Sequence, residues 1–342
     1  MSRFLSLRGD AGGGCRDVLR GRREPGNVCC DVMVDRRQFL TGTIGGWLGS
    51  LMLPHRSHAL QAAARQAAIV PLTERLSLVT SGETNVLARS TRDGLVLVDS
   101  GVPARADQLA DALGTLPGGG RVSTIFSTHW HAENTGANEL LGAGGAAIVA
   151  HENTRLWMAT PTWIPGEDRY RAPRSRTAHP TNTFYTSGTM TADGEPMEYG
   201  YLLEAHTSGD IYVFFRESNV LAVGDVASPS RDPELDWFTG AWLGGRVDAM
   251  DRLLSLANDA TRIVPGYGPV MTRTELKAER DVMATIYERV VDRVREGDSV
   301  DDMLGADVMN GLPRVWMDPR TFLHDVHKGL WAHHNKLAPN VV

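Results

Sequence analysis

The sequence predicts an α/β (α+β) protein, a four-layer αββα sandwich built from two similar halves. Short apolar, β-rich runs separated by turn signals are followed by amphipathic helical stretches, and this order of strands and then helix occurs twice along the chain. Apolar residues make up 42% of the 342 residues, which is enough for the sizeable core that such a sandwich needs.

The elements of the first half follow from spacing and turn chemistry. Turn signals at residues 81–82 and 92–94 divide a β-rich stretch into short strands. Leu109, Leu113 and Leu116 recur at helical spacing and give one apolar face. The predicted elements are a short helical or flexible lead at 60–70, strands within 76–102, a helix at 103–116 and strands at 122–126 and 146–150.

The second half repeats this order after a long irregular segment. Residues 158–184 are rich in Pro, Arg and Thr and show little periodicity, which indicates a lid or a substrate loop. The predicted elements that follow are strands at 199–203, 211–215 and 220–223, a helix at 246–256 and a strand at 262–264.

A helical extension follows the sandwich. Thr272 and Glu275 have the spacing of a capping box, which predicts the start of a helix, and Gly297 predicts its end. A last helix is predicted near the C-terminus. We therefore expect residues 60–271 to form one domain and residues 272–342 to be a helical extension packed on it.

Two histidines stand two residues apart where the strand at 122–126 ends. They are His129 and His131, and Glu133 and Asn134 follow them. A strand that ends in a loop can direct several imidazoles at one point, and neutral imidazole is the commonest side-chain ligand of metals in proteins. This segment is therefore the first candidate for a metal site.

Two later segments supply further ligands for the same site. His206 lies in a loop-like stretch between two predicted strands, and Asp225 follows another strand. Three histidines and a carboxylate form a cage for zinc or a similar divalent metal. All three cysteines precede residue 31, so a metal site in the later chain must be built from histidine and oxygen.

These motifs resemble, in order and spacing, those of the metallo-β-lactamase-fold hydrolases. The family pattern reads His-x-His-x-Asp-His, Gly-His-Thr-x-Gly-Asp, Gly-Asp and Pro-Gly-His-Gly-Pro, after an early strand that ends in Asp-x-Gly. The matches cover roughly residues 76–270, and the resemblance implies the metallo-β-lactamase sandwich with a metal-dependent hydrolytic site. The matching segments of this chain begin at Asp99, His129, Ala205, Gly224 and Pro265.

The resemblance implies a role for each ligand. His129, His131 and His206 would hold one metal ion, zinc by preference, and Asp225 would be a fourth ligand or the base that orients the water. Because a metal lowers the pKa of its bound water toward about 7, a metal-bound hydroxide would attack an ester, thioester, lactone or amide. A β-lactam is one amide of this kind.

The second metal position departs from the family pattern. Where relatives have Asp, His and His, this chain has Glu133, Asn134 and Tyr267. Asparagine is a weak neutral ligand, and a phenol with a pKa near 10 keeps its proton at neutral pH. We therefore expect one tightly held zinc ion, with Glu133 as a proton shuttle, Tyr267 as a hydrogen-bond donor to an oxyanion, and all three residues free to contact substrate.

Two other classes of function stay open at this point. Persulfide dioxygenases of the same fold use two histidines and one aspartate, which match His129, His206 and Asp225, so a mononuclear iron oxygenase is one alternative. The three altered positions of the second site motivate the other, a non-catalytic binding protein with a decayed site. Metal analysis of anaerobically purified protein separates iron from zinc.

The N-terminal residues predict an export signal. Residues 35–40, Asp-Arg-Arg-Gln-Phe-Leu, resemble a twin-arginine translocation motif, and an apolar run with a small-x-small step at 57–59 follows. The run of about 15 residues is shorter than the ~20 that a permanent membrane helix needs. A buried helix with a chance arginine pair is the alternative. We expect a signal peptide at 33–59, starting at Met33, after a mis-called or disordered extension at 1–32.

The expected partners follow from this signal and from the charge. Residues 60–342 contain 26 basic and 36 acidic residues, which argues against a surface for nucleic acid or anionic membrane. We expect a periplasmic or secreted protein with a small-molecule substrate, a transient contact with the export machinery and no stable membrane span after signal cleavage. The sequence leaves the oligomeric state open.

Overall fold

The protein folds as a sandwich of two sheets. The structure is a computed structural model that describes residues 67–164 and 169–337. Two large sheets pack face to face and helices cover both outer faces, so the predicted four-layer αββα architecture is confirmed. The predicted extension at 1–32 and signal at 33–59 lie outside the described residues, and the predicted domain boundaries stay predictions.

The strands form two large sheets and one small one. In chain order they are β1 (Ala68–Pro71), β2 (Leu76–Ser81), β3 (Thr84–Thr91), β4 (Gly94–Val98), β5 (Val122–Phe126), β6 (Ala147–His151), β7 (Thr162–Ile164), β8 (Arg169–Arg171), β9 (Asn182–Phe184), β10 (Ser187–Ala192), β11 (Glu195–Tyr201), β12 (Ile211–Phe215), β13 (Val220–Gly224) and β14 (Arg262–Pro265). The sheets have the orders β1-β2-β3-β4-β5-β6-β9 and β10-β11-β12-β13-β14, and β7 pairs with β8 alone.

The helices form the outer layers and the C-terminal extension. They are α1 (Ala106–Gly114), α2 (Asn138–Ala143), α3 (Glu152–Ala159), α4 (Leu243–Leu256), α5 (Arg273–Glu296), α6 (Val300–Gly305) and α7 (Pro319–Leu337), with short 3-10 helices at Pro103–Arg105 and Arg176–Ala178. None of the helices in the described part of the chain is long and apolar enough to cross a membrane.

Apolar side chains fill three layers of core. Strands β4, β12 and β13 are buried along their whole length, as expected of strands covered on both faces. Between the sheets, Val96 and Phe126 belong to the same cluster as Val213. Outside the first sheet Leu109 of α1 packs on that face. Outside the second, Met250 of α4 joins a cluster with α5 and α7.

Parallel strands place the candidate site at one edge of the sandwich. In the first sheet β4, β5 and β6 run parallel, and in the second β13 and β14 run parallel. The carboxyl ends of parallel strands meet at the same edge of a sheet. Asp99 follows β4, His129 follows β5, Asp225 follows β13 and Gly266 follows β14. The strand order therefore brings four separate segments together.

Most predicted elements are present, with their ends shifted by a few residues. The capping box of Thr272 and Glu275 begins α5, and Gly297 ends it in the left-handed conformation with φ 88°. Each of these signals depends on neighbouring residues only, which is why the sequence predicts them well.

The prediction for the lead at 60–70 is wrong in its described part, and the segment 158–184 contains short elements that were not predicted. Residues 68–70 of the lead belong to strand β1, which pairs antiparallel with β2 at the edge of the first sheet. The segment 158–184 is not structureless, since its described residues contain β7, β8, a 3-10 helix and β9. Short elements of three residues have too few positions to produce a readable period.

Candidate metal centre

Three imidazoles meet at the edge of the sandwich. His129 and His131 lie in the loop after β5, and His206 lies in the loop between β11 and β12. One ring nitrogen of each histidine lies within 4.8 Å of those of the other two, and all three side chains are buried. The His206 Nε2 and His131 Nδ1 atoms are 3.1 Å apart. The structure thus brings together the three ligands that the sequence predicts.

The outward nitrogen of each ring has a protein partner. This arrangement leaves the Nε2 of His129, the Nδ1 of His131 and the Nε2 of His206 facing one another. The His129 Nε2 is buried and has no hydrogen-bond partner among the described residues. Such a nitrogen fits a metal ligand, so the donor set fits one zinc ion. On the outward side, His129 Nδ1 lies 3.0 Å from Thr128 Oγ1, and His131 Nε2 lies 3.1 Å from Asp236 Oδ2. His206 Nδ1 lies 2.9 Å from the Glu234 carbonyl oxygen.

Asp99 sets the tautomer of His129 through Thr128. The Thr128 hydroxyl donates to Asp99 Oδ2 at 2.8 Å, and the Thr128 backbone N–H donates to Asp99 Oδ1 at 2.8 Å. Because the hydroxyl has only one proton, it must accept from His129 Nδ1–H, which leaves the lone pair on Nε2. Burial raises the pKa of Asp99 to about 7, whereas hydrogen bonds from Thr128 and Asn134 favour its charged form.

The three histidines differ in their protonation. Burial and the neighbouring imidazoles hold the pKa values of His129 and His206 well below 6.5, so both are neutral and ready to bind a metal. Burial also lowers the pKa of His131, but the hydrogen bond and charge of Asp236, with Glu234, raise it to about 9. A metal ion therefore has to displace a proton from His131 alone.

Asp210 holds the loop that carries His206. Its Oδ2 accepts from the backbone N–H groups of His206 at 2.6 Å and Thr207 at 2.8 Å. Its Oδ1 accepts from the Thr207 hydroxyl at 2.7 Å. These three bonds close the loop in one conformation, which fixes the position of the imidazole.

Asp225 lies beside the histidines and is already paired with a cation. Its Oδ2 lies 3.9 Å from His206 Nε2 and accepts a hydrogen bond from Arg231 Nη2. Its Oδ1 accepts from Asn134 Nδ2 at 3.4 Å. Burial raises the pKa of Asp225 to about 6, while the Arg231 guanidinium acts in the opposite direction. The backbone of Gly266 passes so close that a Cβ there would lie 1.9 Å from Asp225 Oδ1.

Asn134 and Tyr267, two of the three residues at the second metal position, do not fit a metal ion. The Asn134 side chain is buried and points its Nδ2 at Asp99 and Asp225, so it acts as a donor. Burial, with the charges of Asp225 and Glu133, raises the pKa of the Tyr267 phenol above its ordinary value, so it keeps its proton. We derive no chemistry from a second ion in this position.

Glu133 lies at the mouth of the site. Its carboxylate lies within 4.8 Å of ligand atoms of His131 and Glu234. Glu133 is half-buried and Glu234 is exposed, so this acidic group faces solvent. The position agrees with contact to a substrate or to solvent protons, and besides burial the negative charge of Glu133 still raises the pKa values of Asp225 and Tyr267.

A pocket opens beside the histidines. Its volume is about 300 Å³, and the segment 158–184, predicted to be a substrate loop, supplies part of its wall. The Arg171 guanidinium lies 4.0 Å above the centroid of the Trp130 ring, which orders that wall. Its lining includes Trp130, His131, Glu133, Trp163, Arg171 and Phe238.

The helical layers also contact the site. Arg246 of α4 is fully buried and donates to the Glu234 carbonyl oxygen at 3.2 Å, the same atom that accepts from His206. His333 of α7 lies 3.2 Å from Glu204 Oε2 and stacks on Trp242 with ring centroids 3.7 Å apart. The C-terminal extension is therefore packed on the loop that carries His206.

Sequence reasoning missed the residues that support the ligands. Glu234, Asp236 and Arg231 lie in an irregular segment between β13 and α4, where no periodicity marks a functional residue. Arg246 did leave a signal. It shares one helix face with Met250 and Leu253, and a charged residue on an apolar face requires a buried partner.

Comparisons with known proteins agree with this fold. A family model described as the metallo-beta-lactamase superfamily matches residues 81–308. The metallo-beta-lactamase type 2 of Bacillus cereus is 25% identical over 206 residues, which cover 59% of this chain and 75% of that protein.

Solved structures extend the likeness at the level of fold alone. A metallo-beta-lactamase from Pontibacter korlensis is 22% identical, with 64% of this chain and 99% of that chain covered and a TM-score of 0.52. The stereoselective inverting sec-alkylsulfatase Pisa1 from Pseudomonas sp. is 14% identical, with 79% of this chain and 50% of that chain covered and a TM-score of 0.56. This chain thus spans about half the length of the alkylsulfatase.

Proposed function

The chain belongs to the metallo-beta-lactamase superfamily, and from this premise we propose that it is a hydrolase that uses one zinc ion held by His129, His131 and His206. Members of the superfamily are mostly metal-dependent hydrolases. The observation that carries the proposal is the set of three inward ring nitrogens, each on a ring whose other nitrogen is held by a protein acceptor. That arrangement is preorganised for a cation.

Each nearby side chain has a part in the proposed reaction. A zinc ion bound here would lower the pKa of a coordinated water to about 7 and polarise the carbonyl group of the substrate. Asp225, with a pKa of about 6, is mostly ionised at neutral pH and is placed to accept a proton from the attacking water. Tyr267 keeps its proton and can donate a hydrogen bond to an oxyanion. Glu133, at the mouth, can pass a proton to the leaving group.

The pocket supports a small substrate with an apolar part. Its volume is about 300 Å³, and Trp130, Trp163 and Phe238 provide aromatic walls. Arg171 adds one positive charge beside the carboxylates of Glu133, Glu234 and Asp236. We propose an ester, thioester, lactone or amide as the bond that is cleaved, with a β-lactam as one member of that group. Superfamily membership does not select among them, because fold alone does not assign a substrate.

Metal analysis combined with a substrate screen tests the proposal. We expect purified protein to contain about one zinc per chain, and ester or lactam hydrolysis to fall by at least about 100-fold in His129→Ala and His206→Ala. His334→Ala, an exposed histidine on α7, serves as the matched control and should keep full activity.

Three outcomes would contradict the proposal. Unchanged hydrolysis in both ligand variants would show that the activity comes from a contaminant. Absence of any hydrolysis in zinc-loaded protein would favour the non-catalytic binding protein. Iron in anaerobically purified protein, with oxygen consumption, would favour the mononuclear iron oxygenase.

We also propose export by the twin-arginine route, to the periplasm or the outside of the cell. The support is the order of motif, apolar run and small-x-small step within residues 33–59. Replacement of Arg36 and Arg37 by lysine should retain the protein in the cytoplasm, as measured by cell fractionation. Equal export of the variant would contradict the signal. Sequencing the N-terminus of the precursor in the same experiment would test the predicted start at Met33.

A further inference from the structure

We propose that the guanidinium of Arg231 is the resident second cation of this site, where it takes the place that a second metal ion would share with Asp225. The inference rests on the proposed function, because it concerns the same centre. It assigns a positioning role to a residue in an irregular loop that no sequence motif marks.

The contacts of Arg231 place its charge within the second metal position. Its Nη2 donates to Asp225 Oδ2, the same oxygen that lies 3.9 Å from His206 Nε2. Its Cζ atom lies 3.4 Å from the centroid of the Tyr267 ring. Tyr267 stands where the family pattern has a ligand of a second ion, and Asp225 matches the carboxylate that bridges two metals, or binds one, in many relatives. The guanidinium therefore lies between the two side chains that such an ion would need.

Electrostatics explain why this arrangement excludes a metal. Asp225 is buried and offers one negative charge, which Arg231 already neutralises at direct contact. A divalent ion that used the same oxygen would lie next to a fixed positive charge in a medium that screens poorly. Asn134 directs N–H toward Asp225 and adds no compensating charge. The Glu133 carboxylate acts on Asp225 only through its charge, because its ligand-distance neighbours are His131 and Glu234. At the Asp225 carboxylate the Arg231 guanidinium thus takes the place of the metal ion.

The same contacts give Arg231 a function in catalysis through Asp225. The Arg231 guanidinium is planar and lies over the Tyr267 ring, so its Nη2–H donates to Asp225 Oδ2 from a fixed direction. The Asp225 carboxylate is held from three directions, by Arg231, by Asn134 and by the close backbone of Gly266. Arg231 also lines a pocket of about 730 Å³ and its side chain is 28% exposed, so small ions reach it from solvent.

Zinc stoichiometry in matched variants tests the inference. In the background Asn134→His with Tyr267→His, which restores two family ligands, we expect one tightly bound zinc as long as Arg231 is present. Adding Arg231→Met should raise the affinity for a second zinc on the order of 100-fold, because it removes a like charge at contact distance. Zinc would be measured by competition with a chromophoric chelator and by elemental analysis.

Arg216→Met in the same background is the matched control. Arg216 also lies over an aromatic ring, Phe214, at 4.5 Å, and pairs with a carboxylate, Glu198, at 3.9 Å, but on the surface of the second sheet. We expect it to leave the zinc stoichiometry at one. Guanidinium chloride at millimolar concentration should displace the second zinc of the Arg231→Met variant and leave the first in place.

Two results would overturn the inference. The first is two tightly bound zinc ions in the native protein. The second is equal affinity for a second zinc with and without Arg231. If the variant with three substitutions does not fold by circular dichroism, Arg231→Met alone decides, since it should gain a weak second site that guanidinium displaces. These readouts need no turnover, so they are distinguishable from a failure to find hydrolysis.

Discussion

Replacement of Gly266 by alanine would displace the carboxylate of Asp225 from the three histidines. A Cβ at this position would lie 1.9 Å from Asp225 Oδ1 and 2.9 Å from Asn134 Nδ2. An ordinary contact between carbon and oxygen is about 3.3 Å, so the carboxylate has to move by more than about 1 Å. The φ of Gly266 is not positive, so the backbone itself accepts alanine and the effect is confined to the site.

A displacement of this size predicts a large loss of activity with a small loss of stability. Misplacement of a reacting group by about 1 Å lowers the rate about 100-fold, which corresponds to about 2.7 kcal/mol of transition-state stabilisation. We expect kcat/KM for the best ester or lactam to fall by about this factor, while the thermal transition of the variant stays within a few degrees of the native protein.

Gly114→Ala is the matched control for this experiment. Gly114 ends α1, and a Cβ there would meet no atom within 4 Å. It should leave kcat/KM unchanged. Native kcat/KM in Gly266→Ala would refute the role of Asp225, because the substitution cannot leave that carboxylate where it is. Loss of folding in Gly266→Ala would instead show that the loop after β14 supports the whole edge of the sandwich.

Three further predictions concern protonation, the extension and the helix cap. Although burial lowers the pKa of His131, Asp236 raises it to about 9, so zinc competes with a proton for this imidazole. The zinc affinity measured in chelator titrations should therefore rise about tenfold per pH unit from about pH 7 to 9, and Asp236→Asn should flatten this slope. An equal slope in both proteins would contradict the proton competition. His333→Ala should lower the unfolding free energy by about 1–2 kcal/mol in urea denaturation, because it removes the stacking on Trp242 and the contact with Glu204. An unchanged unfolding free energy would contradict the docking of α7. Thr272→Ala should lower the unfolding free energy by about 1 kcal/mol and leave the zinc affinity unchanged, because it removes the N-cap of α5. A denaturation midpoint equal to that of the native protein would contradict the stabilising role of this N-cap.

The fold could be predicted because its signals are local. The strand at 122–126 has the predicted ends, since four of its five residues are apolar or β-branched and turn residues stand before it. The positions of the candidate ligands could be predicted for a related reason. His129 lies three residues after β5 and Asp225 one residue after β13, and the ends of parallel strands at one sheet edge are close in space.

The rest of the site depends on tertiary contacts that no spacing encodes. Arg231 and Asp236 are separated from their partners by turns without a period, and only the packing of the loop shows that one pairs with Asp225 and the other with His131. The strand β10 was missed because its sequence, Ser-Gly-Thr-Met-Thr-Ala, reads as a polar turn. It becomes a strand because β11 offers it an edge to pair with.

The carbonyl oxygen of Glu234 connects the loop that carries His206 to helix α4, because it accepts hydrogen bonds from both His206 and Arg246. Arg246 lies in turn 3.8 Å from Glu279 of α5. Amino-acid changes on a remote helix would therefore reach the ligand sphere through two short links. Laboratory evolution toward another metal or another substrate should accordingly accumulate useful replacements along α5 as well as around the pocket.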